Sequence, residues 1–145
     1  MDTKTIRRGK YTYHIKHVLD ENPDLSFLGV YSNSPGPEPF IDRQERGEQG
    51  RGTYRYFQHG CGDPDYIEQD YARMEAYNRG EWYMMGVTVE ISVKTKTNWA
   101  TDPIVARASL WGIESDSEAS YFEQVEKELM HDARIDLKAT KEALE

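Results

Sequence analysis

Between residues 82 and 93 the chain alternates: Tyr83, Met85, Val87, Val89, Ile91 and Val93 are interleaved with Trp82, Met84, Gly86, Thr88, Glu90 and Ser92. A two-residue period sustained this long, and rich in β-branched side chains, predicts the longest strand and the centre of a sheet. Residues 104–113 return beside it, with Ala106, Ala108 and Leu110 on one face and Val105, Ser109, Trp111 and Ile113 on the other. The two runs form a long hairpin whose connection is 94–103. Tyr11, Tyr13, Ile15 and His17 mark a further half-buried strand over 11–18, and 27–31 is a short apolar run that can form another. Pro35, Pro37 and Pro39 stop that run, because proline lacks the amide that pairing needs. From 32 to 52 glycine, proline and charge dominate, which predicts a mobile loop, and 54–57 predicts at most a brief pairing at a sheet edge.

Two segments carry the helical period instead. Asp63, Pro64 and Asp65 make a helix start: a capping carboxylate, a proline suited to the first turn and an acid at the positive end of the dipole. Ile67, Tyr71 and Met74 then recur at helical spacing, and Gly80 closes a helix over 64–79. At the C-terminal end Ser115 and Glu118 have capping-box spacing, and Phe122, Val125, Leu129, Ala133 and Leu137 form an apolar stripe on a charged helix over 116–139. The pattern as a whole predicts one α+β domain spanning 1–145: an antiparallel sheet with a long central hairpin, covered on one face by both helices.

Composition narrows this picture without adding chemistry. The 145 residues suffice for one core without disulfides or metal. No apolar run reaches membrane-spanning or signal-peptide length, and Cys61 is the single cysteine, so a soluble cytoplasmic chain is expected.

Charge is less even than its total of −8 suggests. Residues 63–81 hold six acids and two bases, and 114–145 hold ten acids and four bases, so both helices are acidic and the remainder sums to +2. An acidic field disfavours direct nucleic-acid binding, which depends on cations releasing phosphate counterions. It suits a protein partner with a basic surface, although plain solubility accounts for acidity equally well.

Candidate catalytic groups are sparse. His59, Cys61 and Asp63 are all metal-ligand types around Gly60 and Gly62, but their spacing matches no established zinc pattern, and the simpler reading is a glycine-rich loop entering a helix. A Cys61 nucleophile with His59 as base lacks a third group to orient it. The glycine clusters do not have the spacing of a dinucleotide or phosphate-binding loop. No metal and no cofactor are expected. At 94–99, lysines flank a tryptophan on the hairpin connection, and Lys94, Lys96 and Trp99 would make a binding tip if the indole does not fold back onto the core.

Residues 69–83, QDYARMEAYNRGEWY, and 109–117, SLWGIESDS, resemble a group of small uncharacterised proteins encoded by bacteriophages and prophages; the resemblance covers the C-terminal half. It implies a phage context and supplies no catalytic residues. Small acidic phage proteins without catalytic motifs resemble in kind the inhibitors of host defence, anti-CRISPR proteins among them. The expectation is therefore a non-catalytic acidic binding protein that inhibits a host defence, CRISPR for example, or another nucleic-acid-handling protein of host or phage by occupying its basic surface. Its site would comprise Glu123, Glu126, Asp132 and Asp136 on the second helix, Glu68 and Glu75 on the first, and the Lys94, Lys96 and Trp99 tip. The alternatives are a small phage enzyme using Cys61 or a carboxylate pair, and an oligomeric accessory or structural subunit.

Overall fold

The structure, a computed structural model, describes residues 3–95 and 101–144. Its strands are β1 (Thr3–Arg8), β2 (Tyr11–Leu19), β3 (Gly29–Ser32), β4 (Phe40–Asp42), β5 (Tyr56–His59), β6 (Met84–Val93) and β7 (Ile104–Glu114). The helices are α1 (Ile67–Asn78) and α2 (Ala119–Leu144), with a 3-10 turn, Pro64–Tyr66, leading into α1. The fold is α+β with antiparallel sheets, and it divides into two compact units. Asn22–Trp82 form one; the chain up to Glu21 and from Tyr83 onward forms the other.

The unit that contains both chain ends is a four-stranded sheet in the order β1-β2-β6-β7, with α2 on one face. The long β6–β7 hairpin is its largest feature. Val87, Val89 and Ile91 of β6 are completely buried, as the alternation requires. They pack with Tyr13 and Ile15 of β2 and with Val125, Leu129, Met130 and Ala133 of α2, so the helical stripe read from the sequence is the stripe that is buried. On β7 strict alternation fails. Met85 pairs with Ile113 but Val87 with Leu110, so β7 holds one extra residue there, and Gly112 takes the positive φ of 78°. This bulge reverses the parity of the strand. Ile113 is buried along with Ala106, while Leu110 and Trp111 are exposed, which corrects the facial assignment based on a strict two-residue period.

Two further details differ from expectation. β1 was not predicted, because its sequence TKTIRR carries one apolar side chain, Ile6, in an otherwise exposed edge strand. Ser115 does not cap α2. Its amide donates to Tyr83 O at 2.8 Å and its hydroxyl accepts from Tyr83 N at 2.9 Å, clasping the base of the hairpin. The Glu118 carbonyl instead accepts the first helical amides, those of Tyr121 and Phe122.

In the second unit β5 lies between β3 and β4, and α1 packs against β3 and β5. The 54–57 segment therefore leads into the middle strand of a second sheet rather than pairing at an edge. Phe57 of β5 is completely buried, with the rings of Tyr71 and Tyr31 at 5.1 and 5.4 Å. The α1 stripe thus packs on the sheet of its own unit, and the single sheet expected to carry both helices is two sheets carrying one helix each. Periodicity shows that a stripe must be buried but not against what. The 32–52 segment contributes β4 with buried Ile41, and then buried Arg43, so it holds part of this core. At the start of α1 the expected cap is present: the Asp63 carboxylate accepts from Asp65 N at 3.0 Å.

Candidate docking surface

Burying Val125, Leu129 and Ala133 fixes the rotation of α2 and so decides where every other side chain on it points. Residues four and seven apart share a face at 3.6 residues per turn. Tyr121, Glu128, Asp132 and Ile135 therefore lie along one stripe; all four are exposed, Tyr121 by 44% and Ile135 by 56%. Asp136 lies at the edge of this stripe nearest the sheet, where its Oδ2 accepts from the backbone amide of Arg107 at 3.1 Å. That amide belongs to the edge strand β7, so Asp136 occupies a position where another strand could pair. Glu123 is exposed on the opposite flank, in line with Lys127 and Arg134.

Glu126 is not on the outside. It is 8% exposed, and its carboxylate accepts from His17 Nε2 at 2.6 Å and pairs with Lys4 Nζ at 2.5 Å. Burial pushes its carboxyl upward, but the bonds from Lys4 and His17 outweigh this and hold it below the ordinary glutamate range. The imidazole also stacks on Phe122, ring centres 5.2 Å apart. This corrects the expectation of a docking role for Glu126: it joins α2 to β1 and β2.

The α1 carboxylates are also engaged at home. Glu68 forms a two-pronged pair with Arg46, which lowers its carboxyl from the ordinary value, mainly through those hydrogen bonds. Glu75 accepts from Tyr31 Oη at 2.8 Å and pairs with Arg43 Nη2 at 3.2 Å. Arg43 further donates to Tyr71 Oη at 3.2 Å and to Tyr54 O at 2.8 Å. Burial, joined by the hydrogen bond to Glu48, pushes the Tyr71 phenol up to about 12. Glu68 and Glu75 do share a helix face, above a hollow of about 520 Å³. What the face presents is an internally paired network, not a row of unclaimed negative charge.

His59 and Cys61 do not converge. The His59 ring, 4% exposed, donates from Nε2 to Asp70 Oδ2 at 2.7 Å, tying β5 to α1. Cys61 is exposed, with its thiol 3.9 Å from Phe27 O. Among the described residues no group of three or more His, Cys, Asp or Glu side chains is placed to hold one metal ion.

Lys94 lies at the end of β6 and lines a groove of about 650 Å³ on the face of the four-stranded sheet opposite α2. Lys96 and Trp99, the rest of the expected tip, lie outside the described residues. Among the described residues no helix is long and apolar enough to cross a membrane.

Sequence reasoning missed Tyr121, Glu128 and Ile135. The signal that could have found them is the spacing of Glu128, Asp132 and Asp136: like charges every four residues on one helix. No family model matches the chain, and neither a curated protein nor a solved structure does.

Proposed function

We propose that this chain is a binding protein that docks on a basic surface of a partner protein through the Tyr121, Glu128, Asp132 and Ile135 stripe of α2. The observation that carries this reading is the acidic run flanked by two large exposed apolar side chains. Carboxylates four residues apart repel and destabilise a helix by about 0.2–0.5 kcal/mol per pair. Tyr121 touches the core only through the edge of Phe122, ring centres 6.4 Å apart, and more than half of Ile135 is exposed. Both features are explained if the stripe meets a complementary surface, with the acids setting association rate and specificity and the apolar groups filling pockets between cations. In the phage setting implied by the resemblance, a protein that holds nucleic-acid phosphates is the target whose cations such a stripe would occupy.

Capture from bacterial lysate at low salt, followed by binding measurements with the purified partner, tests this. Glu128→Gln with Asp132→Asn should weaken binding at ~0.1 M salt and remove most of its salt dependence, because the screening length falls from about 10 Å to about 3 Å at 1 M. Tyr121→Ala with Ile135→Ala should weaken it at every salt concentration. If the quadruple variant binds the same partner with unchanged affinity, the stripe is a solvated face and the reading is wrong.

A further inference from the structure

The four-stranded sheet has a second face, turned away from α2. Neighbouring strands present their side chains there in rows. Thr12 and Ser92 pair across β2 and β6, and Arg7 lies opposite Thr12 on β1. His14 and Glu90 make the next row, with Arg107 opposite Glu90 on β7. Lys16 and Thr88 follow with Ser109, and then Val18 and Gly86, over which Trp111 lies. The face is polar, and its groove end is cationic. Around the groove Arg7, Lys16 and Lys94, with Arg107 on the neighbouring strand, stand against Glu90 and Asp102, a local balance of +2 on a chain of −8; Glu114, paired with Met84, is an acid of the same face beyond Trp111.

Both acids of the groove are already engaged. Glu90 pairs with Lys16 at 3.7 Å and with Arg107 at 3.2 Å; Asp102 accepts from the Thr95 amide at 3.1 Å and hydroxyl at 3.3 Å. Arg7 and Lys94 are exposed at the groove, beside the hydroxyls of Thr12 and Thr101.

Trp111 supplies the second, independent observation. A Cβ at position 86 would lie 2.4 Å from Trp111 Cε3 and 2.6 Å from Cδ2, so the indole rests directly against the Gly86 backbone, an approach that only glycine permits. Trp111 is 48% exposed. Laid against the sheet in this way, it offers its other side to solvent as a stacking surface. From Gly86 to Ser92 is six residues, about 20 Å at ~3.4 Å per residue.

A stacking ring at one end of a hydroxyl-lined face whose other end is cationic is the chemistry that holds unpaired bases and their phosphates. We infer that the open face of this sheet binds single-stranded nucleic acid, with a base on Trp111 and the backbone running towards Arg7 and Lys94. A duplex does not fit, because its bases are stacked on one another and unavailable to the ring. The total charge of the chain argues against binding only if charge is averaged over the molecule; here the acids of α2 lie on the other side of the same sheet. The inference stands apart from the docking stripe and shares no residue with it.

Fluorescence anisotropy of labelled single-stranded dT15 and rU15 with the full chain at ~50 mM NaCl tests it. Saturable binding is expected, with log K falling against log salt at a slope of about −2 to −3 for three to four neutralised phosphates. Trp111→Ala should weaken binding about five-fold or more, and Trp111→Phe should restore most of it. Arg7→Ala with Lys94→Ala should make the slope shallower by about 1.4. Thermal melts matching the parent are expected for the surface-lysine and arginine changes, and Trp111→Phe serves as the folded comparator at that position. The inference is overturned if neither oligonucleotide binds, if the variants bind like the parent, or if a duplex of the same length or inorganic phosphate competes as well as the single strand.

Discussion

Removing the Glu126 carboxylate separates a structural acid from a docking acid. Lys4 is 55% exposed at its side chain, so its pairing with Glu126 is a surface ion pair contributing about 0–1 kcal/mol. The His17 bond is different: the two side chains are 17% and 10% exposed, and a buried hydrogen bond to a charged group contributes about 1.5–3 kcal/mol. Together they give about 1.5–4 kcal/mol, and Glu126→Ala should lose most of it because the imidazole N–H is then left without its acceptor. Glu126→Gln keeps an acceptor for His17 and should lose about half. With a urea slope of about 1–3 kcal/mol per M, the alanine variant's midpoint should fall by about 1 M at pH 7.

The pH dependence follows from the direction of the shift. The folded-state pKa of Glu126 lies below its ordinary value of 4.5, so its stabilisation is complete above that value and is lost as pH falls through the folded pKa. Parent and Glu126→Gln should differ at pH 7 and converge at an acid pH below the lowered folded-state value, where both carry a neutral side chain. Urea titrations at the two pH values, followed by far-ultraviolet circular dichroism, read both effects. A midpoint shift under ~0.3 M at pH 7, or an equal gap at both pH values, would refute this assignment.

Arg43→Leu should unfold the Asn22–Trp82 unit, since it strands Glu75 and the Tyr54 carbonyl while removing a bond to Tyr71; loss of one partner of a buried pair costs about 3–5 kcal/mol. Hydrogen exchange resolved by segment should show lost protection in β3, β4, β5 and α1, and full protection there would count against the network. Leu129→Asp, at a site 5% exposed among Ile15, Val89 and Ile91, should cost about 3–5 kcal/mol, and an unchanged melting curve would contradict the packing of α2 on the four-stranded sheet.

What could be read from the sequence divides along a physical line. Local signals sufficed, with the Ser115 capping box as the exception because Tyr83 claims that side chain: the alternation through Val87, Val89 and Ile91, the Asp63 cap and the Phe122 to Leu137 stripe each depend on residues close in the chain, and each is found where expected. What failed depended on partners far away. β1 has no amphipathic pattern because it is an exposed edge, and its strand conformation comes from pairing with β2. The pattern shows one large sheet for both helices to cover, while the actual partner of the α1 stripe assembles from three short strands with few apolar residues each. The bulge at Gly112 is one residue long, too short to register in a periodicity.

The candidate site shows the same division more sharply, because helical spacing alone assigns a carboxylate to a face but not to a partner. Glu126 stands one position from Val125 and four from Met130, well inside the buried arc, yet its retention as an acid depends on Lys4 and His17, more than a hundred residues earlier in the chain. Asp136 is likewise claimed by a backbone amide of β7, and Glu68 and Glu75 by arginines of the 32–52 segment. Neutralising Glu123, Glu126, Asp132 and Asp136 together would therefore combine a core lesion, the loss of an edge-strand acceptor and two surface changes on opposite flanks of one helix. Loss of binding by that variant would say nothing about docking. Glu128 and Asp132, exposed four residues apart between Tyr121 and Ile135, are the pair whose removal leaves the ion pairs among the described residues intact and, apart from the exposed hydrogen bond that Gln124 donates to Glu128, changes only the charge a partner would meet.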